Sequence, residues 1–143
     1  MQNALFIIHL CLYLYYKKAK TMKTAVIGTR TYSNYEQLEK MLNDLSDKPT
    51  EIISGGANGA DALAERYATE NGIKLTVINA DWHMHGKMAG PMRNLLIVEA
   101  CEQLVAMWDG ESKGTKHAIN EARKQGKPTK VVNYASQQTG LFG

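Results

Sequence analysis

The sequence predicts an α/β domain with a parallel sheet of about five strands, covered by helices on both faces. Three observations carry that prediction. Apolar runs of five to seven residues recur from residue 24 to residue 134, each followed by a turn. The segments between the runs repeat their apolar residues at helical spacing. The chain has 143 residues, 44% hydrophobic and 22% charged, which suits one core and excludes a disordered or fibrous chain.

The elements follow in order. "TAVIG" (24–28) is a buried strand ending in glycine. "SNYE" (33–36) has the capping-box pattern, with Ser33 three places before Glu36, and Tyr35, Leu38, Leu42 and Leu45 continue a helix to about Ser46. "TEIIS" (50–54) is the second strand. A second helix runs over 58–71 with Ala60, Leu63, Ala64, Tyr67 and Ala68 on one face, stopped by Asn71-Gly72. "IKLTVIN" (73–79) is the third strand, and 80–90 form a loop. Pro91 opens a helix reaching about Cys101, because proline suits the first helical turn. The fourth strand is 103–109, the last helix 115–125 and the fifth strand 128–134. Strands separated by helices make this a Rossmann-like three-layer sandwich.

That accounts for residues 22–135 as one domain, with 136–143 a C-terminal tail. Residues 1–21 are different. "ALFIIHLCLYLYYKKAK" has about a dozen mostly apolar residues before its lysines, whereas a membrane span needs roughly 20. Its charge follows the apolar run instead of preceding it, unlike a secretory signal. Met22 is a start-like residue directly before the first strand, and we expect it to be the natural start. We expect 1–21 to be an extension outside the fold, with a peripheral membrane anchor the competing reading.

Charge narrows the function classes. The formal net charge is +3, and residues 1–21 hold Lys17, Lys18 and Lys20 with no acid. Setting those three aside leaves 14 basic side chains against 14 acidic ones. A neutral domain lacks the broad positive field that supplies non-specific nucleic-acid affinity, so nucleic acid ranks below a small molecule as partner. Cys11 and Cys101 lack metal-ligand spacing, and so few cysteines fit a reduced cytoplasmic protein.

In an open parallel sheet, ligands bind beyond the carboxyl ends of the strands, where strand order reverses. Four segments leave those ends: "GTRTYS" (28–33), "SGGANGAD" (54–61), "DWHMHGKMAGPMRN" (81–94) and "DGESKGTKH" (109–117). Three glycines within 55–59 let backbone approach a ligand closely, at an entropic cost that needs a reason. The helices that follow aim free N–H groups at an anion. Arg93, Lys116 and His117 fall in predicted first turns, where a cation opposes the helix dipole by about 0.3–1 kcal/mol. With Arg30, Lys87 and Lys113 in the same loops, these cations point to a phosphate.

Alternatives stand beside several of these residues. Asn58 and Asp61 also read as an N-cap and a first-turn acid, with no ligand needed. Trp82 is either core packing or a stacking face for a base. His83, His85 and Asp81 offer a weak metal pattern, and we expect neither a metal nor a cofactor.

"GTRTY", "SGGANGADALAERYA", "DWHMHGKMAGPMRN" and "WDGESKGTKHAINEA" resemble, in order and spacing, the YspA/cpYpsA-related members of the SLOG superfamily. These are small Rossmann-like domains of bacteria and phages. The resemblance spans about Met22 to Tyr134 and implies a homo-oligomeric module that senses or sequesters a nucleotide-derived ligand. On that basis Arg30, Arg93, Lys113 and the backbone of Gly114 and Thr115 hold phosphate. Gly55, Gly56, Asn58 and Asp61 line the ribose or phosphate side, and Trp82 covers the base. Gly28, Thr29, Ser54, Gly90, Asn94, Asp109 and Ser112 complete the expected lining.

Two related branches supply rival functions. The DNA-processing protein A branch has a similar "SGxAxGxD" turn and binds single-stranded DNA. The "lonely guy" branch cleaves the N-glycosidic bond of nucleoside monophosphates with a "PGGxGTxxE" loop. Aligned on Gly114-Thr115, that loop's glutamate falls on Ala118, with Glu121 the nearest acid. Hydrolysis is in doubt for that reason, unless Asp61 or Asp109 substitutes.

Overall fold

The computed structural model describes residues 2–18 and 20–135. After helix α1 (Gln2–Lys18), strands β1 (Lys23–Gly28), β2 (Glu51–Ser54), β3 (Lys74–Val77), β4 (Gln103–Trp108) and β5 (Thr129–Asn133) form one sheet. Its order is β3-β2-β1-β4-β5 and every pairing is parallel. The predicted α/β Rossmann-like fold is therefore the fold. β1 lies at the centre, and the order reverses between β1 and β4.

Alternation along β1 divides the core. Val26 faces helices α2 (Tyr35–Asn43) and α3 (Ala60–Glu70), packing with Leu38, Leu42, Ala64 and Tyr67. Ala25 and Ile27 face helices α5 (Ala89–Ala100) and α6 (Lys113–Lys124), packing with Ile97, Val98, Ala118 and Ile119. Each fully buried Val, Leu or Ile stabilises the fold by about 1.5–3 kcal/mol. These layers fix where the ends of β1 and β4 open.

Several boundaries differ from the sequence reading. Asn34, not Ser33, caps α2: its side-chain oxygen accepts the Gln37 N–H at 3.1 Å. That helix ends at Asn43, short of Ser46. Helix α3 starts at Ala60 behind Gly59, whose φ of 76° makes the turn without a side-chain cap, so Asn58 is not the cap. β3 covers only 74–77 of the expected 73–79, and it is an edge strand with Leu75 and Val77 36% and 39% exposed. The expected loop 80–90 is helical from Trp82 on: α4 (Trp82–His85), a 3-10 turn (Gly86–Met88) and the start of α5.

The chain joins the sheet at Met22, whose N–H donates to Thr50 Oγ1 at 2.7 Å and whose carbonyl accepts the Thr50 N–H at 3.1 Å. Before it, α1 carries exposed apolar side chains from Leu5 to Tyr16. Among the described residues no helix is long and apolar enough to cross a membrane. The expected tail, 136–143, lies outside the described residues.

Candidate functional site

Where strand order reverses, the β1–α2 loop and the start of α6 form two walls of a cleft of about 560 Å³, with α5 and the β2–α3 turn beside them. Gly28, Thr29 and Arg30 enter it from β1, and Asp61 from α3. Gly90, Arg93 and Asn94 contribute from α5. Ser112, Lys113, Gly114 and Thr115 contribute from the start of α6. A second hollow of about 380 Å³ holds Gly55, Gly56, Asn58 and Trp82. Both hollows are lined by Arg30, Ala57 and Arg93. The expected site residues thus come together at the carboxyl edge, with two exceptions.

Ser54 and Asp109 line neither hollow. The buried Ser54 hydroxyl donates to Glu65 at 2.9 Å and accepts the Gly56 N–H at 3.1 Å, so it holds the turn from behind. Asp109 Oδ1 accepts the Glu111 and Ser112 N–H groups at 2.9 and 2.7 Å, which stabilise its charged form and lower its pKa. It shapes the approach to α6, and Ser112 then caps that helix.

The charged groups are of two kinds. Arg93 is built in: it is in the second turn of α5, two residues deeper than expected, and donates to the Gly55 carbonyl at 2.5 Å and to Asn94 Oδ1 at 3.1 Å. Burial lowers its pKa, nearby Asp61 raises it, and Arg30 lowers it again, so two cations converge here. Asp61 is 5% exposed, and burial raises its carboxyl above the ordinary value. The Ala57 N–H at 3.2 Å, the Arg93 charge and the Gly55 N–H pull it partly back. Arg30 and Lys113, by contrast, are exposed, and neither is in an ion pair among the described residues.

Trp82 is 54% exposed on α4, which rules out the core-packing reading. Asp81 caps α4 by accepting the Met84 N–H at 2.9 Å. Among the described residues no three His, Cys, Asp or Glu side chains cluster closely enough for a metal. Ala118, at the position aligned with the glycosidase glutamate, is buried in the cleft wall.

Lining residues that were not singled out include Ala57, Pro91 and His117 in the cleft, and Asn79 in the second hollow. His117 had a detectable signal. With α6 starting at Lys113, His117 stands one turn in, three residues after Gly114 and on its face of the helix. Its Nδ1 is buried with no hydrogen-bond partner among the described residues.

Residues 22–85 match the profile of the YspA, cpYpsA-related SLOG family. The chain is also 39% identical over 92 residues to the gene 61 protein of Mycobacterium phage D29, covering 60% of this chain and 72% of that protein. The chain belongs to the YspA, cpYpsA-related SLOG family. Among solved structures, this SLOG domain is similar to DNA processing protein A of Streptococcus pneumoniae, with a TM-score of 0.66 and 22% identity. It is also similar to DNA processing protein A of Helicobacter pylori, with a TM-score of 0.61 and 22% identity, a protein that binds single-stranded DNA. Each match covers 78% of this chain, but only 50% and 65% of those proteins. At that identity the likeness is one of fold.

Proposed function

We propose that this SLOG domain binds nucleotide units at the carboxyl edge of its sheet, with Arg30, Arg93 and Lys113 on phosphate. The observation that carries the reading is the convergence of these cations on one cleft while Arg30 and Lys113 have no anionic partner among the described residues. The α6 N-terminus beside Lys113 turns the positive end of its helix dipole toward the cleft, where an anion is favoured. Asp61 is the one carboxylate lining the cleft among the described residues, and it suits a sugar hydroxyl better than a phosphate.

The nucleotide unit comes either free, as a nucleotide-derived signal that is sensed or sequestered, or within a single strand. The comparisons favour the strand, because the similar folds include a single-stranded DNA-binding protein. The joined hollows give that reading a geometric basis, since Arg30 and Arg93 stand between two spaces, each with room for a base or sugar. N-glycosidic hydrolysis has less support, with Ala118 in place of the glutamate.

The test is a thermal-shift screen of the full chain against nucleoside phosphates, dinucleotides and short single-stranded oligonucleotides. Saturating ligand, near 100 times its dissociation constant, adds about 2.7 kcal/mol of stability. For a strand, the log–log salt slope is about −0.7 per phosphate contacted. Arg30→Ala and Lys113→Ala should each weaken binding about tenfold, as loss of a charged hydrogen bond does. Changes below about twofold in both variants would refute the phosphate assignment. Recovery of free base from a bound nucleotide would make the protein a hydrolase.

A further inference from the structure

We infer that α1 is a lipid-binding element that docks the protein on an anionic membrane surface by inserting into the bilayer without spanning it. The helix is apolar on every side. Leu5, Phe6, Ile7, Ile8, Leu10 and Leu12 are each 45–70% exposed, and Tyr13, Leu14, Tyr15 and Tyr16 continue the exposure. A helix hydrophobic all round is normally buried on all sides, whereas residues 3–16 of this one are exposed along their length.

The pattern of exposure selects the partner. A protein groove or a second copy covers one stripe of a helix, and would select apolar residues at spacings of three and four. Here consecutive residues are apolar, which hydrocarbon accommodates because it surrounds a helix. At 1.5 Å per residue the 17 residues of α1 reach about 25 Å, less than the roughly 30 Å core of a bilayer. The helix therefore enters without crossing.

One end carries the signature of a membrane–water boundary. Tyr13, Tyr15 and Tyr16 precede Lys17, Lys18 and Lys20, and residues 1–21 contain no acid. Aromatic rings sit at headgroup depth, and lysines reach outward to anionic headgroups. Lys20 contacts Asp47 at 3.1 Å, but both are exposed, and a surface pair of that kind holds little against a charged lipid surface. Only a few residues separate α1 from β1, so docking would place the amino edge of the sheet against the membrane. The nucleotide cleft, at the carboxyl edge, would face solvent. The inference does not depend on what that cleft binds.

Flotation of the full chain with vesicles of phosphatidylcholine, with and without phosphatidylglycerol, tests this. The protein should float with the anionic vesicles and much less with the neutral ones. Replacing Lys17, Lys18 and Lys20 by Gln should lower partitioning about fivefold per lysine, the equivalent of roughly 1 kcal/mol each. Leu10→Glu with Leu14→Glu should abolish flotation with the thermal midpoint unchanged, since both side chains are exposed. Two results would overturn the inference. One is full chain that stays unfloated with both compositions. The other is a chain that binds no vesicles but forms a dimer the Leu10/Leu14 variant disrupts, which would make a second copy the partner.

Discussion

Two glycine-rich turns flank the candidate site, and they use glycine for opposite purposes. In the β2–α3 turn the space is already taken. A Cβ on Gly55 would lie 2.5 Å from the Arg93 guanidinium and 2.8 Å from Asp61 Oδ2. One on Gly59 would lie 2.5 Å from the Arg30 carbonyl and against the Thr29 carbonyl as well. These glycines admit the protein's own arginine, carboxylate and backbone. At the start of α6, Gly114 meets nothing closer than Asn94 Nδ2 at 3.9 Å. That glycine faces open space. Glycine in a sequence signals close approach, and only the structure says whether the visitor is the protein itself.

The comparison breaks most visibly at Gly59. Its φ of +76° is one that residues with a Cβ rarely adopt, and the overlap with the Thr29–Arg30 backbone cannot be relieved by a side-chain rotation. Gly59→Ala should destabilise the fold by about 3 kcal/mol, backbone strain and overpacking combined. The thermal midpoint should drop by about 10 °C or more. A fall under about 2 °C would mean that the two loops have slack and that the tight turn is not what joins them.

Asp61 offers a smaller, pH-dependent test of the same packed turn. Burial raises its carboxyl pKa, so the folded chain holds the proton more tightly than the unfolded chain. The stability this contributes is complete below the ordinary carboxyl value, about 3.9, and is lost as pH rises through the raised folded value. Asp61→Asn has no such loss. Its midpoint relative to the native chain should climb as pH rises above about 4, tracked by thermal unfolding at several pH values. A difference that stays flat, or that favours the native chain at higher pH, would mean the attraction of Arg93 outweighs burial.

Much of this layout was legible because periodicity and position carry it. Apolar runs placed all five strands, and the carboxyl-edge rule put Arg30, Asp61, Arg93 and Lys113 into one neighbourhood before any contact was visible. Capping was less legible. Ser33 and Asn34 are adjacent cap formers, and nothing local decides between them until Gln37 is in place. Asn58 looked like a cap because its side chain suits one, but a positive-φ glycine took the position. Ser54 and Asp109 fall in the right loops yet serve the turns, since a hydroxyl or carboxylate bonds neighbouring backbone as readily as a ligand. His117 was obscured by placing the start of α6 two residues late. Exposure on β3 was hidden because an edge strand and a central strand carry similar letters.

Gly114→Ala gives the smallest expected change and the sharpest contrast with Gly59. Gly114 sits at the second residue of α6, its φ is not positive, and an added methyl meets only an ordinary contact. Alanine in a helix is better than glycine by about 0.5–1 kcal/mol, so the unliganded variant should unfold a few degrees higher. The same methyl stands where a phosphate would approach the N–H groups of α6. Affinity for the best nucleotide or oligonucleotide should therefore fall at least about fivefold, near 1 kcal/mol. A more stable protein that binds less well is the outcome only if this glycine was kept open for a ligand. Gains in both would mean that the opening at α6 is incidental, and that phosphate recognition has to be sought at Arg30 and Arg93, beside the packed turn.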